Sequence, residues 1–525
     1  MSYRTCSKRG LASSLGAVLL LACGHDELHI CYHAVNSTAE LQQAVENGDP
    51  CGPPPGELGG SGAASPDFAN GAIAASVCPV ADPAQRRVAV SADGAKVAFL
   101  SCNGSSIGVV VQALSGGAPV ELAPAAAGSS VAFTLDGNHV LFGAGGAWSV
   151  ARADASRAPS ALSAGSVEGY RLFRETVDQQ GGGRALEPRL LVQELIGAER
   201  RIVARNPDTD YEQPLVILAD ADPTLVGSLI GGLEHLSDSG RTLVTPVQTD
   251  AGEIYYKLRT NAGETPFPMT YGPGEAEMGA SGLGDTHNFA FMGDRLVRIS
   301  LDANLTALAD GDLTELASGG LLADHSQIID RQDRPGVKYA HFIQNGAPSR
   351  RKREGDEPLQ ALATANATAQ RLSPDSARIL YLSDGAVFSV SAVGDGAALE
   401  LVSDAGNRLR QAFAPDSSEV AIVGRGGRLS RSPLDRAGMA QLLDPERTAE
   451  SWFGYSGDDS LPDSAVRLVW LSGSDEAVQD RLKVAPLGSG DASTLVSAGV
   501  SAWLAIPRSA DILYVQGAEL RRTTP

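Results

Sequence analysis

One short phrase recurs along this chain and restricts what it can fold into. VAVSADGAKVAFL (88–100), VAFTLDGNHVLFG (131–143), RLSPDSARILYL (371–382) and QAFAPDSSEVAIV (411–423) follow one grammar. Each holds a short apolar strand, a turn with Asp followed by Gly or Ser, and a second strand rich in β-branched residues. The phrase starting at Pro507 aligns position by position with the one at Pro374, and those at Ser237 and, with one residue inserted, Pro462 keep the same frame. Looser copies begin near Gly284 and Gln332. The copies starting at 374, 415, 462 and 507 lie 41, 47 and 45 residues apart.

Physical chemistry explains the grammar. A turn Asp accepts hydrogen bonds from backbone N–H groups one or two residues on, while Gly or Ser tolerates turn dihedrals. The flanking Val, Ile, Leu and Phe favour strands. The blade-turn residues are Asp93, Asp136, Asp238, Asp375, Asp416 and Asp463. Many copies continue into a third strand, as in GVVVQALSGGAPVELA (108–123). A small antiparallel sheet every roughly 40 to 50 residues cannot bury both faces alone, so the expected fold is an all-β propeller. Nine frames are visible, and the 102-residue gap between 135 and 237 has room for one more around 185–205. A ring of eight blades is favoured, within a range of seven to ten, and two smaller propellers are the alternative. The C-terminal phrase ends before a fourth strand, so closure is expected to use a strand near 80–90.

Ser373-Pro374-Asp375-Ser376, Ala414-Pro415-Asp416-Ser417 and Ser91-Ala92-Asp93-Gly94 carry a family resemblance. They resemble the TolB-type, WD40-like propeller repeat, whose consensus runs aromatic-Ser-Pro-Asp-Gly-x-x-Ile-Ala-Phe. The aromatic before the turn is kept as Phe133 and Phe413 and replaced by Val90 and Leu372. The resemblance implies a propeller over residues 80–525, and it leaves function open.

The N-terminus supplies an address. Arg4, Lys8 and Arg9 precede a twelve-residue apolar run at 11–22, closed by Leu20-Leu21-Ala22-Cys23-Gly24. Twelve helical residues span roughly 18 Å of an approximately 30 Å hydrocarbon core, too short to remain as an anchor. The pattern is that of a bacterial lipoprotein signal peptide (1–22) with Cys23 as the lipidated residue. An ordinary cleaved leader with a cysteine at its junction is the alternative. By resemblance to enterobacterial sorting, Gly24 directs the product to the outer membrane. Residues 23–79, rich in Pro, Gly and Ser, read as a flexible tether. Within it, 39–46 suits a short helix capped by Ser37, and His25, His29 and His33 read as polar tether residues.

Removing the leader leaves 39 Lys and Arg (42 − 3) against 62 Asp and Glu, a formal charge of −23. Such a surface repels phosphate backbones, so nucleic acid is not an expected partner, and membrane contact is expected only through the lipid. The one basic run, Arg350-Arg351-Lys352-Arg353, reads as a solvated loop. With Cys6 lost and Cys23 acylated, Cys31, Cys51, Cys78 and Cys102 remain, and three pairings are open. Proximity favours Cys31–Cys51 and Cys78–Cys102, each worth about 3 kcal/mol in the chain-entropy model.

No catalytic residue is expected. Gly279-Ala-Ser281-Gly-Leu fails the nucleophile-elbow pattern at its fifth position, and no phosphate loop or dinucleotide fingerprint occurs. The calcium-loop-like start at Asn206 has Tyr211 where Gly is required. No cofactor is expected. The chain reads as a non-catalytic envelope module that binds a protein, peptidoglycan or another glycan. The alternative is a metal-dependent polysaccharide lyase or hydrolase, by analogy with propeller-shaped lyases that hold metal through histidines from different blades. His235, His287 and His325, from consecutive frames, are its candidate ligands.

Overall fold

A computed structural model describes residues 71–80, 86–126, 128–179, 183–205, 215–220, 228–229, 242–251, 254–262, 265–273, 287–292, 295–301, 308–331, 334–352, 358–394, 396–457, 460–473, 480–488 and 490–525. The described residues form antiparallel sheets and no α-helix. There are ten sheets, nine of four strands and one, at 287–318, of three. In the first nine, neighbouring strands are consecutive in sequence. The first sheet shows the pattern: Val88–Val90, Lys96–Asn103, Ser106–Ala113 and Val120–Pro124. The later sheets occupy 130–161, 166–219, 228–273, 287–318, 321–361, 367–402, 411–444 and 447–496 in turn. The tenth joins Val500–Ala505, Ile512–Gln516 and Glu519–Thr523 to Gly71–Ala74.

The second strand of each sheet shows how the sheets are arranged. Glu419–Val423 is buried along its whole length, as expected only where both faces of a sheet are covered. Side chains alternate across a strand, and here the two sides feed two different cores. Val97 and Phe99 pack with Leu513, Val515 and Leu520 of the tenth sheet, whereas Ala98 and Leu100 pack with Val131, Val140 and Phe142 of the second. Val420 and Ile422 face Leu380 and Leu382 of the seventh sheet, and Ala421 and Val423 face Leu468 and Trp470 of the ninth. Ile512 and Tyr514 join the ninth sheet's core, and Leu513 and Val515 join the first sheet's. The first three sheets and the fifth to the tenth therefore stack face to face in a propeller-like order, and the tenth packs on the first.

Two differences from the sequence reading concern the ends of this stack. Among the described residues ten sheets are present, within the expected range of seven to ten and above the favoured eight; the gap before Ser237 holds long strands, Ser166–Gln179 and Gly183–Ile196, that lack the Asp turn phrase. The strand added to the last sheet is Gly71–Ala74, not one near 80–90, because Val88–Val90 is already paired with the strand that carries Phe99. Gly71 pairs with Arg522, Ala72 with Arg521 and Ala74 with Leu520, and Ile73 leans on the core shared by the first and tenth sheets. The folded body thus begins inside the stretch assigned to the tether.

Behind this strand the chain is fastened to the first sheet. Cys78 N–H donates to Leu100 O at 2.8 Å, and Cys78 and Cys102 form a disulfide with Cα atoms 5.0 Å apart. Cys23, Cys31 and Cys51 lie outside the described residues. The basic run is not a loop in its described part: Ala347–Lys352 is a strand, in which Arg350 donates to Gln360 Oε1 at 2.8 Å and lies over the Tyr339 ring at 4.8 Å. Charged stems can pack along a sheet while their heads find partners.

The seam between the first and tenth sheets is tight at Gly94. Its φ is +67° and a Cβ there would lie 2.6 Å from Pro507 O, while Gly104, at φ +61°, has open space. Gly104→Ala is expected to cost about 1–2 kcal/mol, from left-handed strain alone. Gly94→Ala should cost clearly more in urea unfolding; equal losses would mean that the seam is looser than described.

Candidate functional site

The recurring turn is a specific hydrogen-bonded unit. Ser91 Oγ donates to Asp93 Oδ1 at 2.5 Å, and that oxygen also accepts the Ala95 N–H at 3.0 Å. Ser91 Oγ in turn accepts the Lys96 N–H at 2.9 Å. Thr134, Asp136 and Asn138 repeat the arrangement, as do Ser373, Asp375 and Ala377. The hydroxyl two residues before the Asp is as much a part of the turn as the Asp. It was visible in the sequence as Ser or Thr, but the fourth copy hides it: Ala414 stands there, and Ser418 Oγ bonds Asp416 Oδ1 instead, at 2.8 Å. Asp463 opens a short 3-10 turn without a side-chain cap, and Asp238 lies outside the described residues.

Neighbouring turns are tied to one another. Lys96 Nζ of the first sheet donates to Gly137 O of the second at 3.1 Å. Ser417 Oγ of the eighth accepts the Asp375 N–H of the seventh at 3.0 Å. Ser376 and Ser417 both adopt φ 59°, so the residue after the turn Asp takes the left-handed conformation whether Gly or Ser.

Where the turns of the seventh and eighth sheets meet, a cleft of about 820 Å³ opens, within the usual range for ligand sites. Asp375, Arg378, Ser417 and Glu419 line its inner side, and Asp435 and Arg436 its outer side. Glu419 is nearly fully buried. Its Oε1 accepts the Tyr455 hydroxyl and its Oε2 the Gly488 N–H, both at 3.0 Å, which ties the eighth sheet to the ninth. Burial pushes its carboxyl above the ordinary range, against the Tyr455 hydroxyl bond and the nearby Arg431 charge. The same burial, with Glu419 beside it, holds the Tyr455 hydroxyl well above its usual range.

A second charged cluster joins the eighth and ninth sheets. Asp444 is fully buried and accepts Trp470 Nε1–H at 2.7 Å and Lys483 Nζ at 3.1 Å. Lys483 also reaches Glu446 Oε2 at 2.8 Å. Burial raises the Asp444 pKa, but hydrogen bonds from Ser472, Trp470 and Lys483 outweigh it, and the carboxyl sits below its ordinary value. This cluster is structural: it closes a polar gap between two packed sheets. Sequence reasoning missed it because its members come from three strands of two sheets.

Of the candidate metal ligands, His287 opens the strand His287–Met292, His325 lies within Leu321–Arg331, and His235 is outside the described residues. Among the described residues no group of three His, Cys, Asp or Glu side chains is placed to hold a metal ion.

No protein-family model matches the chain, and no curated protein matches it. Among solved structures it is similar to a eukaryotic initiation factor, with 15% identity, TM-score 0.44 and coverage of 72% of this chain and 90% of that one. The WD40 domain of SCAP from fission yeast is similar over 85% of this chain and 93% of its own, at 11% identity and TM-score 0.34. The C-terminal WD40 domain of Sif2 is similar over 67% and 95%, at 11% identity and TM-score 0.33.

The sign of the Asp444 shift sets a pH test. A carboxyl depressed by folding contributes stability above its unfolded pKa and loses it as pH falls through its folded pKa. Asp444→Asn is expected to cost about 1.5–3 kcal/mol near neutrality. In urea unfolding across a pH series, the gap to the unaltered protein should be full above about pH 4 and close in stronger acid. A gap independent of pH would show that the charge on Asp444 is not what stabilises this junction.

Proposed function

We propose that this chain is a cell-envelope lipoprotein, held by a lipid on Cys23 at the outer membrane, whose closed ten-bladed propeller is a non-catalytic module that binds or scaffolds a protein or glycan partner. The observation that carries binding over catalysis is the commitment of the ionisable groups in the cleft between the seventh and eighth sheets. Both Glu419 oxygens accept hydrogen bonds from the ninth sheet, Arg378 Nε donates to Ser389 Oγ at 2.6 Å, and Asp375 Oδ1 is held by its own turn. Groups held in this way present a fixed polar surface of the kind that orients a bound ligand.

Supports for the other parts of the reading are separate. The leader and its Leu20–Cys23 ending favour export and lipidation. The charge of −23 on the mature chain argues against nucleic acid. The packing of Leu513 and Val515 against Val97 and Phe99, and the pairing of Gly71–Ala74 with the last sheet, favour one closed ring over two smaller ones.

Metabolic labelling with palmitate is expected to mark the protein, and Cys23→Ser is expected to abolish the label and release the protein from membranes. Label retained on Cys23→Ser would overturn the anchor. Class averages from electron microscopy down the ring axis should show ten spokes. Metal analysis of the purified protein tests the non-catalytic reading: one stoichiometric transition metal, lost on His287→Ala, would replace it with the lyase reading.

A further inference from the structure

The rim of the same cleft carries a second feature. Among the described residues only three large apolar side chains are exposed, Leu359, Met439 and Leu442, and two of them lie on one segment of the eighth sheet. That segment continues from Asp435 and Arg436, which line the cleft, through Met439 to Leu442 in the outermost strand Gln441–Asp444. Its Gly438 N–H donates to Glu400 O of the seventh sheet at 3.3 Å, so the segment crosses the junction at which the cleft opens.

Taken with the proposed binding role, we infer that this junction is the docking site for an extended peptide segment of a partner protein, with the charged cleft taking its polar groups and Met439 with Leu442 taking an aliphatic side chain. Three observations favour a peptide over a sugar. The cleft offers both signs of charge, Asp375 and Asp435 beside Arg378 and Arg436, which matches a chain of alternating donors, acceptors and charged side chains. No aromatic side chain is among its lining residues, so a sugar ring would lack a stacking platform. The outermost strand Gln441–Asp444 ends its sheet and carries the exposed Leu442, which matches the way extended peptides add to a sheet edge, where backbone bonds give affinity and side-chain contacts give selectivity.

The test uses the mature full chain and a phage-displayed library of random twelve-residue peptides. Selection is expected to yield peptides carrying both charges and an aliphatic residue. Arg436 and Met439 are exposed, at 69% for the Arg436 side chain and 56% for Met439, so their replacement leaves the folded body intact. Arg436→Glu with Met439→Ser should weaken binding of the selected peptides by about tenfold or more, and Leu359→Ser should leave it unchanged. Peptides that bind the double variant as well as the unaltered chain would overturn the assignment of this site. So would a failure to select any peptide while a glycan array binds. A defined envelope partner that still cross-links to the double variant with undiminished yield would leave the binding module standing and remove this site from it.

Discussion

The described structure depends on the two-sided burial of the sheets' second strands, seen wherever their side chains are described along the strand. A strand such as Glu419–Val423, apolar at consecutive positions, exposes one apolar row to water unless a neighbour covers each face. Burying side chains of this kind is worth about 1.5–3 kcal/mol each. Every sheet therefore needs two neighbours, and a row of such sheets leaves its two end faces bare. The packing of Leu513 and Val515 on Val97 and Phe99 covers one face of the first sheet and one face of the tenth with a single contact.

The same requirement explains why polar groups occur where they do in the stack. A charged or hydrogen-bonding side chain between two sheets must bring its partners with it. Asp444 meets this demand with Trp470 and Lys483, and Glu419 meets it with Tyr455 and Gly488. Both clusters link the eighth sheet to the ninth, so that junction combines an apolar core with two polar ties. A junction fixed in this way gives the adjoining cleft a rigid wall.

Legibility in the sequence followed the range of the interactions. The turns at Asp93, Asp136, Asp375 and Asp416 are local, closed within five residues, and their frame could be read directly. The long strands Ser166–Gln179 and Gly183–Ile196 carry no Asp turn phrase, which left the number of sheets open. Gly71–Ala74 was hidden for a different reason: GAIA has small residues and little alternation, and its place comes from the free edge of Glu519–Thr523 at the other end of the chain. The cleft was likewise out of reach. Arg378 and Glu419 occupy the same position in two copies of the phrase, and only stacking brings both to the lining of one cleft.

The strand at the seam also fixes how the preceding segment enters the stack of sheets. Whatever precedes residue 71 enters the body through Gly71–Ala74, the outer strand of the tenth sheet, and the chain then crosses to the first sheet. A pull arriving along that segment would load three residue pairs against Arg522, Arg521 and Leu520 before reaching anything else. The chain is next held by backbone bonds, Cys102 N–H to Ser76 O and Val77 N–H to Ala518 O. Beside them Cys78 is covalently bonded to Cys102 in the second strand of the first sheet. Beyond the disulfide the load passes into a strand buried between two neighbours, where it is spread over the core rather than over one hairpin. For the lipid-held binding module proposed above, this separation would keep tension on the tether from changing the shape of the cleft on the seventh and eighth sheets.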